Sequence, residues 1–549
     1  MNQLSQPPVG LATERAAEAR WWFSLSLFLI LAVVAFIRYR GPAPADRNES
    51  VSAARALETL DVLLGEDQRV HAAGSQANEL VRVRLLGALN ELGARTWLLP
   101  LVDEDGSRAG MANIIARFEG QPRARPLALA THYDACPQGP GAGDAGQCVA
   151  AILETLRVLK RQPLRYELWC IFTDGEERGL WGADDLVKRN DLPWGDALPL
   201  VINFDARGDR GAALLYETHI KNLRSMHVAS PALAPPKVST SLMVDVYQRL
   251  PNGTDFTVYR KAGWPGWNFA VIGGAERYHT AEDTLGNLSP RSIQHFASHA
   301  LSLVRRLDSL PPDELQSIED SEPAVFFDLL GFALITYPAS WNWWQLACTV
   351  VLWLAACFFA RRRLRLGRIV VVIGSIAVAL LISGMAGWAI ARGLKAADVL
   401  PRRYVNYGEM ICLLYPLAAA LVVMSLARWL SRWCTRDEML TGLILVLMAI
   451  GGIASQRFPG GAYLLLVPGC VLTLVLWIDC VFALPLKADR LLGAIACVVP
   501  ALLYSPTYVL LAQAMGPSYG ALITTGVALM LLPTLLAWAP IAATVQHGT

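Results

Sequence analysis

Charged residues are scarce in this sequence, and the two signs nearly cancel. Asp, Glu, Lys and Arg make up 17% of the 549 residues, and the net charge is only +2. A charged fraction this low is unusual for a purely soluble protein. The sequence also has no basic stripe with interleaved aromatic residues, so we expect no nucleic-acid partner.

Cysteine motifs are missing as well. None of the ten cysteines stands at CxxC spacing, which argues against a zinc or redox motif built from cysteine. Seven lie in or beside apolar runs, where we interpret them as small buried hydrophobic residues. These seven are Cys348, Cys357, Cys412, Cys434, Cys470, Cys480 and Cys497. Cys136 and Cys148 lie on either side of a glycine-rich loop, and the sequence leaves open whether they pair.

The sequence contains long apolar runs. The first, Trp21–Ile37, lies between two arginines and is barely long enough to span a bilayer. We predict a signal-anchor transmembrane helix at residues 21–38, preceded by a cytoplasmic tail at residues 1–20. A cleaved signal peptide is the alternative, with a weak cleavage signal at Ala43-Pro44-Ala45. That signal lies beyond further arginines, which favours the uncleaved anchor.

Residues 342–541 consist mainly of such runs, and we predict an all-α transmembrane domain of seven helices there. The predicted helices begin near Trp343, Ile369, Tyr407, Leu440, Tyr463, Leu491 and Ser518. Two acids, Glu409 and Asp479, lie near the ends of these spans. Because acids inside a membrane are expensive to bury, both are candidates for a transport or relay role, although they can also reach the headgroups.

Lysine and arginine are distributed unevenly between the short loops of the two sides. The loop after the first of the seven spans reads RRRLRLGR, and its side carries ten Lys and Arg residues against five on the other. Since positively charged loops stay in the cytoplasm, we expect this loop to be cytoplasmic. The globular part, one span earlier, then lies on the non-cytoplasmic side, which is the periplasm or exterior in a bacterium. The chain would cross the membrane eight times.

Residues 41–315 alternate short apolar runs with helical patterns, which predicts an α/β domain with a mixed sheet flanked by helices. One helix has an apolar stripe from Val149 to Leu159, and another begins at Ser289-Pro290 and ends near Leu307. Residues 316–341 are predicted as a membrane-proximal linker. The predicted strands are Asn113–Phe118, Pro126–Thr131, Glu167–Phe172, Leu198–Phe204 and Trp267–Ile272.

Histidines and acids follow or end the last four of these strands. In chain order they are His132 and Asp134, then Glu176 and Glu177, then Asp205, and finally His279. Open α/β sheets bind ligands beyond the carboxyl ends of their strands. If these strands are parallel, their polar groups therefore gather at one edge of the sheet.

Two histidines with several carboxylates suit zinc. Two zinc ions about 3.5–4 Å apart are well served by a shared carboxylate. Asp144, on the turn that leads from the glycine-rich loop into a helix, could be that bridge. His132 and Asp205 could complete one ion, and Glu177 and His279 the other. This leaves open positions for water and substrate, as in a catalytic zinc site.

Two further acids are placed to support these ligands. Asp134 could orient His132 from behind. Glu176 stands beside a ligand but is not needed as one, so it could take a proton from an attacking water. The sequence thus predicts a hydrolytic site.

Six blocks of sequence carry a resemblance to a known family. They are HYD at 132–134, PGAGD at 140–144, EERGLWGA at 176–183, NFDARG at 203–208, TDFTVYRKAGWPG at 254–266 and YHTAEDTL at 278–285. Their order and spacing resemble peptidase family M28, the di-zinc exopeptidases that include bacterial leucyl aminopeptidases and glutamate carboxypeptidase.

The resemblance implies a fold of the zinc exopeptidase type and two zinc ions as cofactors. It further implies a general base at Glu176, a role for Tyr278 in polarising the scissile carbonyl, and a cis peptide at Asp144-Ala145. The metal ligands that it implies are His132, Asp144, Glu177, Asp205 and His279. Asp283, in the last block, is predicted to fix its loop as a hydrogen-bond acceptor.

The segment FFDLLGFALITYP at 326–338, together with the multispan tail, is similar to the endoplasmic-reticulum and vacuolar membrane branch of this family or its bacterial counterparts. The implied protein is a membrane-anchored zinc aminopeptidase whose partners are a peptide with a free N-terminus and membrane lipid. Trp181, Trp264 and Trp267 hint at an apolar pocket for the first residue. The sequence does not predict an oligomeric state.

The sequence departs from the family pattern at two places beside the predicted ligands. Ala135-Cys136 follows HYD, where a small residue and Ser are frequent, and AGQC follows Asp144. Neither change removes a ligand, so specificity rather than activity is in question. One alternative is a glutaminyl-cyclase-like acyltransferase on the same fold, suggested by the TDGEE block and usually built on one zinc. Another is a catalytically inactive receptor, or a transporter with an inert outer domain.

Overall fold

The computed structural model divides the chain into two compact units. One comprises Ile37–Ala339 and holds the large sheet. The other comprises the chain up to Phe36 together with the chain from Ser340 onward, and its described part is helical. The described residues are 9–47, 50–102, 105–400, 411–482 and 486–536.

Seven strands form the sheet of the first unit. They are β1 Arg95–Pro100, β2 Ala112–Phe118, β3 Leu127–His132, β4 Leu168–Thr173, β5 Leu200–Ala206, β6 Leu214–Thr218 and β7 Gly266–Val271. Their spatial order is β1-β2-β4-β3-β5-β7-β6. Strands β3, β4, β5 and β7 run parallel, whereas β1, β2 and β6 pair antiparallel with their neighbours. The sheet is therefore mixed, as predicted.

Helices cover both faces of this sheet. Helix α1 Val9–Arg38 belongs to the other unit up to Phe36. The helices of this unit up to residue 316 are α2 Ala53–Leu64, α3 Gln76–Leu92, α4 Gln147–Arg161, α5 Trp181–Lys188, α6 Leu223–Ala232, α7 Ser241–Tyr247, α8 Asp255–Lys261, α9 Pro290–Asp308 and α10 Pro312–Gln316. Buried residues of α2, α4 and α9, such as Leu60, Ile152 and Phe296, form one core with the sheet. Leu186 of α5 and Phe256 of α8 belong to a second core. The predicted flanked sheet is confirmed.

The predicted elements correspond closely to observed ones. All five predicted strands occur, as β2, β3, β4, β5 and β7, with ends displaced by at most two residues. The stripe from Val149 to Leu159 is buried along α4, and Pro290 is the first residue of α9. Two strands of this sheet were not predicted, β1 and β6, and they form its edges. An edge strand depends on pairing with its neighbour, which a single segment of sequence does not reveal.

The predicted linker at 316–341 contains a hairpin of two strands, β8 Ala324–Leu329 and β9 Ala333–Pro338. Asp328 at its turn accepts hydrogen bonds from the hydroxyl of Tyr39 and from the backbone N–H of Gly331. Arg38 donates to the carbonyl oxygens of Leu330, at 2.8 Å, and Gly331, at 3.3 Å. The hairpin thus joins the first residues of this unit to its last ones.

The second unit consists of helices at the positions of the predicted spans. From residue 341 onward these are Trp341–Ala360, Leu366–Ala396, Leu414–Leu430, Arg436–Arg457, Tyr463–Val481, Leu486–Met515 and Gly520–Leu536. Five helices of the described chain are long and apolar enough to cross a membrane, all of them in this part. Leu414–Leu430, Pro517–Pro533 and Trp22–Arg38 are shorter apolar segments. The predicted start at Tyr407 lies outside the described residues.

Of the two acids predicted near span ends, Asp479 has a cationic neighbour. Its Oδ2 lies 3.3 Å from Nη1 of Arg436. An ion pair between neighbouring helices is a structural explanation for an acid at this depth. Glu409 lies outside the described residues.

Candidate metal centre

The predicted site lies where the parallel strands end. Strands β3, β4, β5 and β7 point the same way, so the residues at their carboxyl ends meet at one edge of the sheet. His132 is the last residue of β3, and Asp205 is the last but one of β5. The loops after β4 and β7 bring Glu177 and His279. The structure brings these four side chains together around Asp144.

Asp144 stands between the two histidines. Its Oδ1 lies 3.2 Å from Nε2 of His132, and its Oδ2 lies 3.2 Å from Nε2 of His279. The residue lies in the turn Ala142–Gly146, directly before α4, and the peptide bond Asp144-Ala145 is cis. Each carboxylate oxygen of Asp144 therefore faces a different histidine.

Around this carboxylate the potential ligand atoms form two groups. The first group comprises one nitrogen of His132 and one oxygen each of Asp144 and Asp205, all within 4.8 Å of one another. Within it, Nε2 of His132 lies 3.7 Å from Oδ1 of Asp205. On the other side, Nε2 of His279 lies 3.0 Å from Oε2 of Glu177. A third side chain, Cys136, belongs to this second group within the same 4.8 Å limit. Of the described residues, these are the groups that could hold a metal ion.

Asp134 supports the site from behind. Its Oδ1 accepts the backbone N–H of Glu176 at 3.1 Å, and its Oδ2 accepts that of Glu177 at 3.2 Å. Nδ1 of His132 lies 3.0 Å from the backbone oxygen of Asp134 and 3.6 Å from its carboxylate. The main chain of Asp134 thus holds His132 more closely than its carboxylate does, while the carboxylate fixes the loop that carries the two glutamates.

Asp283 fixes the loop that carries Asp144. Its Oδ1 accepts the backbone N–H of Gly143 at 2.6 Å, and its Oδ2 accepts that of Asp144 at 3.2 Å. A Cβ at Gly143 would lie 2.6 Å from Oδ1 of Asp283, so the close approach requires glycine here. The predicted role of Asp283 as a loop-fixing acceptor is confirmed.

The electrostatics of the site suit a cation. Burial raises the pKa of Glu177 to about 7 and also raises the pKa of Asp205. Burial would lower the pKa of His132, but hydrogen bonds with Asp134, Asp144 and Asp205 outweigh it and raise that pKa well above its usual value. Oε1 of Glu177 is buried and has no hydrogen-bond partner. Nitrogen and carboxylate donors with an orphaned buried oxygen fit zinc.

Tyr278 and Glu176 lie beside these groups without joining them. The ring of Tyr278 stacks on that of His279, with the ring centres 3.7 Å apart. Glu176 is half-buried, and within the described chain its carboxylate belongs to neither group of ligand atoms. Both residues therefore lie next to the ligand atoms without being needed as ligands.

Sequence reasoning missed two residues of the site and misplaced two others. Cys136 was set aside because it lacks a CxxC partner, and it is a free thiol, as is Cys148. Asp174 is buried below the glutamate loop, where it accepts from Asn78 and from the hydroxyl of Tyr133, both at 2.8 Å. Only its place in the TDGEE block could have indicated it.

The hint of an apolar first-residue pocket was wrong for two of its three tryptophans. Trp264 is 3% exposed and Trp267 is fully buried, and each packs in a core of the sheet. Trp181 is partly exposed and packs beside Met111. An aromatic residue that is close to a motif in the sequence can still pack in a core away from the site, because its strand or helix determines which face of the sheet it contacts.

A mixed sheet of this kind, with histidines and carboxylates converging at the ends of its parallel strands, defines a hydrolase domain of the zinc exopeptidase type. Residues 113–304 match the family described as Peptidase family M28, which supports the predicted metallopeptidase domain. The apolar helices and the membrane peptidases described below support a membrane protein similar to the predicted branch.

Two similar proteins are membrane peptidases by name. The vacuolar membrane protease of Eremothecium gossypii is 28% identical over 334 residues, which cover 56% of this chain and 32% of that protein. The endoplasmic reticulum metallopeptidase 1 of Rattus norvegicus is 30% identical over 237 residues, which cover 42% of this chain and 26% of that protein. The similarity thus spans about a third of these relatives' length or less.

Solved structures with a similar fold include enzymes of two activities. A Zn-dependent exopeptidase from Parabacteroides distasonis is 19% identical, with a TM-score of 0.36, and covers 49% of this chain and all (100%) of its own. A glutaminyl cyclase from Porphyromonas gingivalis is 18% identical, with a TM-score of 0.39, and covers 47% of this chain and 99% of its own.

Proposed function

We propose that the protein is a membrane-anchored zinc aminopeptidase that hydrolyses peptides with free N-termini. The observation that supports this most directly is the position of Asp144, whose two carboxylate oxygens face His132 and His279 separately. That is the arrangement in which one carboxylate serves two neighbouring metal ions. His132 and Asp205 would complete the first position, and Glu177 and His279 the second.

Two zinc ions bound there would supply Lewis acidity for the scissile carbonyl and the attacking water. Glu176 accepts the proton of that water. It is suited to this because it neighbours Glu177 without belonging to either ligand group, and because Asp134 fixes its backbone N–H at 3.1 Å. A positioned general base of this kind contributes about 10²- to 10⁴-fold to the rate.

Tyr278 stabilises the negative charge that develops on the carbonyl oxygen. Burial and the neighbouring carboxylates raise the pKa of Tyr278 above the usual value of a tyrosine, so its hydroxyl keeps its proton and is a hydrogen-bond donor at neutral pH. The stacking of the Tyr278 ring on His279 fixes the ring beside the second ligand group. The backbone of His279 has φ +57°, in the left-handed region, so this turn holds an uncommon conformation at the site.

The preference for free N-termini follows from charge. Asp144, Glu176, Glu177 and Asp205 together balance the four positive charges of two zinc ions, and Asp134 adds a further carboxylate close by. A site with spare negative charge favours a protonated α-amine. A blocked N-terminus carries no positive charge and would lose this interaction.

The side of the membrane is also a proposal. The bias of ten to five in the Lys and Arg residues of the loops supports a peptidase domain on the non-cytoplasmic side. Its substrates would then be peptides outside the cytoplasm, and the helices from residue 341 onward would contact membrane lipid. No nucleic acid is expected to bind.

The test compares a peptide amide with its N-acetylated twin on the detergent-solubilised full chain, with zinc content measured in parallel. We expect rapid loss of the first residue from the free peptide, little reaction of the acetylated one, and two zinc ions per chain. Equal cleavage of both peptides, or release from the C-terminus first, would rule out an aminopeptidase. One zinc per chain with cyclisation of N-terminal glutamine would support the acyltransferase alternative.

A further inference from the structure

The second group of ligand atoms contains a thiol. Cys136, Glu177 and His279 each offer one ligand atom, and these atoms lie within 4.8 Å of one another. We propose that Cys136 is a thiolate ligand of the metal ion at the Glu177–His279 position. The two metal positions of the site would then differ in chemistry, with sulfur present at only one of them. This proposal deepens the proposed function, because it assumes that the site binds metal.

The loop that carries Cys136 is packed against the loop that carries His279. The backbone N–H of Gly139 donates to the carbonyl oxygen of Cys136 at 3.3 Å, closing a turn. A Cβ at Gly139 would lie 2.2 Å from the carbonyl oxygen of Thr280, so only glycine permits this contact. Thr280 directly follows His279. The close packing therefore fixes Cys136 relative to His279.

The residue before Cys136 is fixed too. The backbone N–H of Ala135 donates to the carbonyl oxygen of His71 at 3.2 Å. A Cβ at Gly141 would lie 2.6 Å from the Cβ of Ala135, so the loop segments around these two residues also approach each other closely. Held at both ends, Cys136 needs no rearrangement of its loop to remain within reach of Glu177.

A second observation at the same place is typical of a position that binds a cation. The side chain of Glu177 is only 6% exposed, and its Oε1 is buried with no hydrogen-bond partner. A buried carboxylate oxygen without a partner is costly unless a cation or donor compensates it. Cys136 is itself 5% exposed. A metal ion between them would satisfy the orphaned oxygen and the buried sulfur together.

The other buried thiols of the peptidase unit do not share this position. Cys148 lies at the start of α4 and Cys170 within β4, and both are fully buried. Among the described residues, neither belongs to a group of ligand atoms. They provide matched controls, since each is a buried thiol of the same unit that the proposal leaves unliganded.

Coordination changes the thiol in a defined way. The S–H bond of Cys136 breaks, its proton passes to solvent, and the sulfur lone pair forms the bond to the metal. Thiolates select soft ions such as Cd²⁺ more strongly than oxygen donors do. The Glu177–His279 position should therefore prefer Cd²⁺ relative to the His132–Asp205 position.

The test uses the full chain in detergent, stripped of metal and titrated with Co²⁺. We expect a thiolate-to-cobalt charge-transfer band in the near ultraviolet for the wild type, Cys148→Ala and Cys170→Ala. The band should be absent in Cys136→Ser and Cys136→Ala. In separate titrations, Cys136→Ser should weaken Cd²⁺ binding by at least about 10-fold, a loss that removal of a supporting residue alone can reach. Its Zn²⁺ affinity should fall by less.

The possible results separate this proposal from the function on which it rests. A wild type that binds two Co²⁺ ions without the band would overturn the role of Cys136 and leave the peptidase proposal intact. A wild type that binds no Co²⁺ would overturn both. If both Cys136 variants fail to fold, the wild-type spectrum compared with the two control variants still decides the matter.

Discussion

Asp283 holds Asp144 through the main chain, accepting its backbone N–H at 3.2 Å. The two residues are 139 positions apart in sequence. The loop after β7 therefore fixes the residue that stands between the two histidines.

The first prediction concerns this support. Asp283→Ala removes the acceptor for two backbone N–H groups, so the turn around Asp144 should relax. We expect zinc affinity to fall about 10- to 100-fold, the usual loss when an outer partner of a ligand is removed. The zinc affinity of each variant is measured by competition with a chromogenic chelator. Glu282→Ala, at the exposed neighbouring acid, is the control and should change nothing. Equal affinities in both variants would contradict the prediction.

The second prediction separates proton transfer from metal binding. Glu176→Gln should keep both zinc ions and lose about 10²- to 10⁴-fold in kcat, since the amide cannot accept the proton of the attacking water. Glu177→Gln should lose zinc as well as activity. Metal analysis of each purified variant gives the ratio of zinc to protein. If Glu176→Gln were the variant that lost zinc, the two roles would have to be exchanged.

The third prediction concerns the number of ions that each ligand serves. Asp144→Ala should abolish binding at both positions because each of its oxygens faces a different histidine. Asp205→Ala should remove one ion and leave the other, since Asp205 belongs to the His132 group alone. Isothermal titration of the metal-free chains with zinc counts the sites. A single ion lost from Asp144→Ala would show that this carboxylate does not bridge.

The fourth prediction is a pH dependence at a buried histidine that belongs to neither group of ligand atoms. His295 in α9 accepts the backbone N–H of Ala213 on Nδ1 at 2.9 Å, and its Nε2 lies 3.2 Å from the carbonyl oxygen of Ala234. Burial lowers its pKa to about 4. The unfolded chain, with a pKa of about 6.5, takes up the proton at higher pH. The stability that His295 contributes is therefore present above pH 6.5 and lost as the pH falls towards 4, by roughly 3 kcal/mol at pH 4.

His295→Gln provides the comparison, because glutamine has an acceptor and a donor but does not titrate. The wild type should lose more protection than the variant between pH 7 and pH 4.5, measured by hydrogen exchange of peptides from β6. Acids such as Asp328, whose pKa is raised by burial to about 6, act in the opposite direction but are common to both proteins. A constant difference between the two proteins over this range would refute the prediction.

The fifth prediction concerns topology. A reporter active only outside the cytoplasm should be active when fused at Pro311-Pro312 and silent when fused in the loop Arg361–Arg368. The reason is the excess of arginine and lysine on the side of that loop. Enzyme assays on cells that express each fusion at matched levels give the answer. Activity only in the fusion at Arg361–Arg368 would contradict the predicted orientation and support the opposite one.

Much of the fold was predictable because the buried strands carry their own signal. β3, β4 and β5 are buried along their whole length and read as short apolar runs. β1 was missed because its burial alternates irregularly at the edge of the sheet, and β6 because it is a short edge strand of five residues. Their existence depends on neighbours that are distant in sequence, such as the pairing of Leu98 with Ile114.

The site was predictable to the extent that single residues at strand ends define it. His132 and Asp205 could be assigned to one edge because they end parallel strands. The place of Cys136 could not be assigned, since it depends on the contact of Gly139 with Thr280, which are 141 positions apart. Trp264 and Trp267 were misjudged because sequence proximity does not tell on which side of a sheet a ring packs.

The hairpin of β8 and β9 brings the first and last residues of the peptidase unit next to each other. Tyr39 and Arg38 bond to Asp328, Leu330 and Gly331, so the chain enters and leaves the unit at one spot. Domains whose termini meet in this way can be inserted into another chain with little disturbance to either fold. Ile37–Ala339 therefore meets the geometric condition for circular permutation or for insertion between the helices of a different membrane protein.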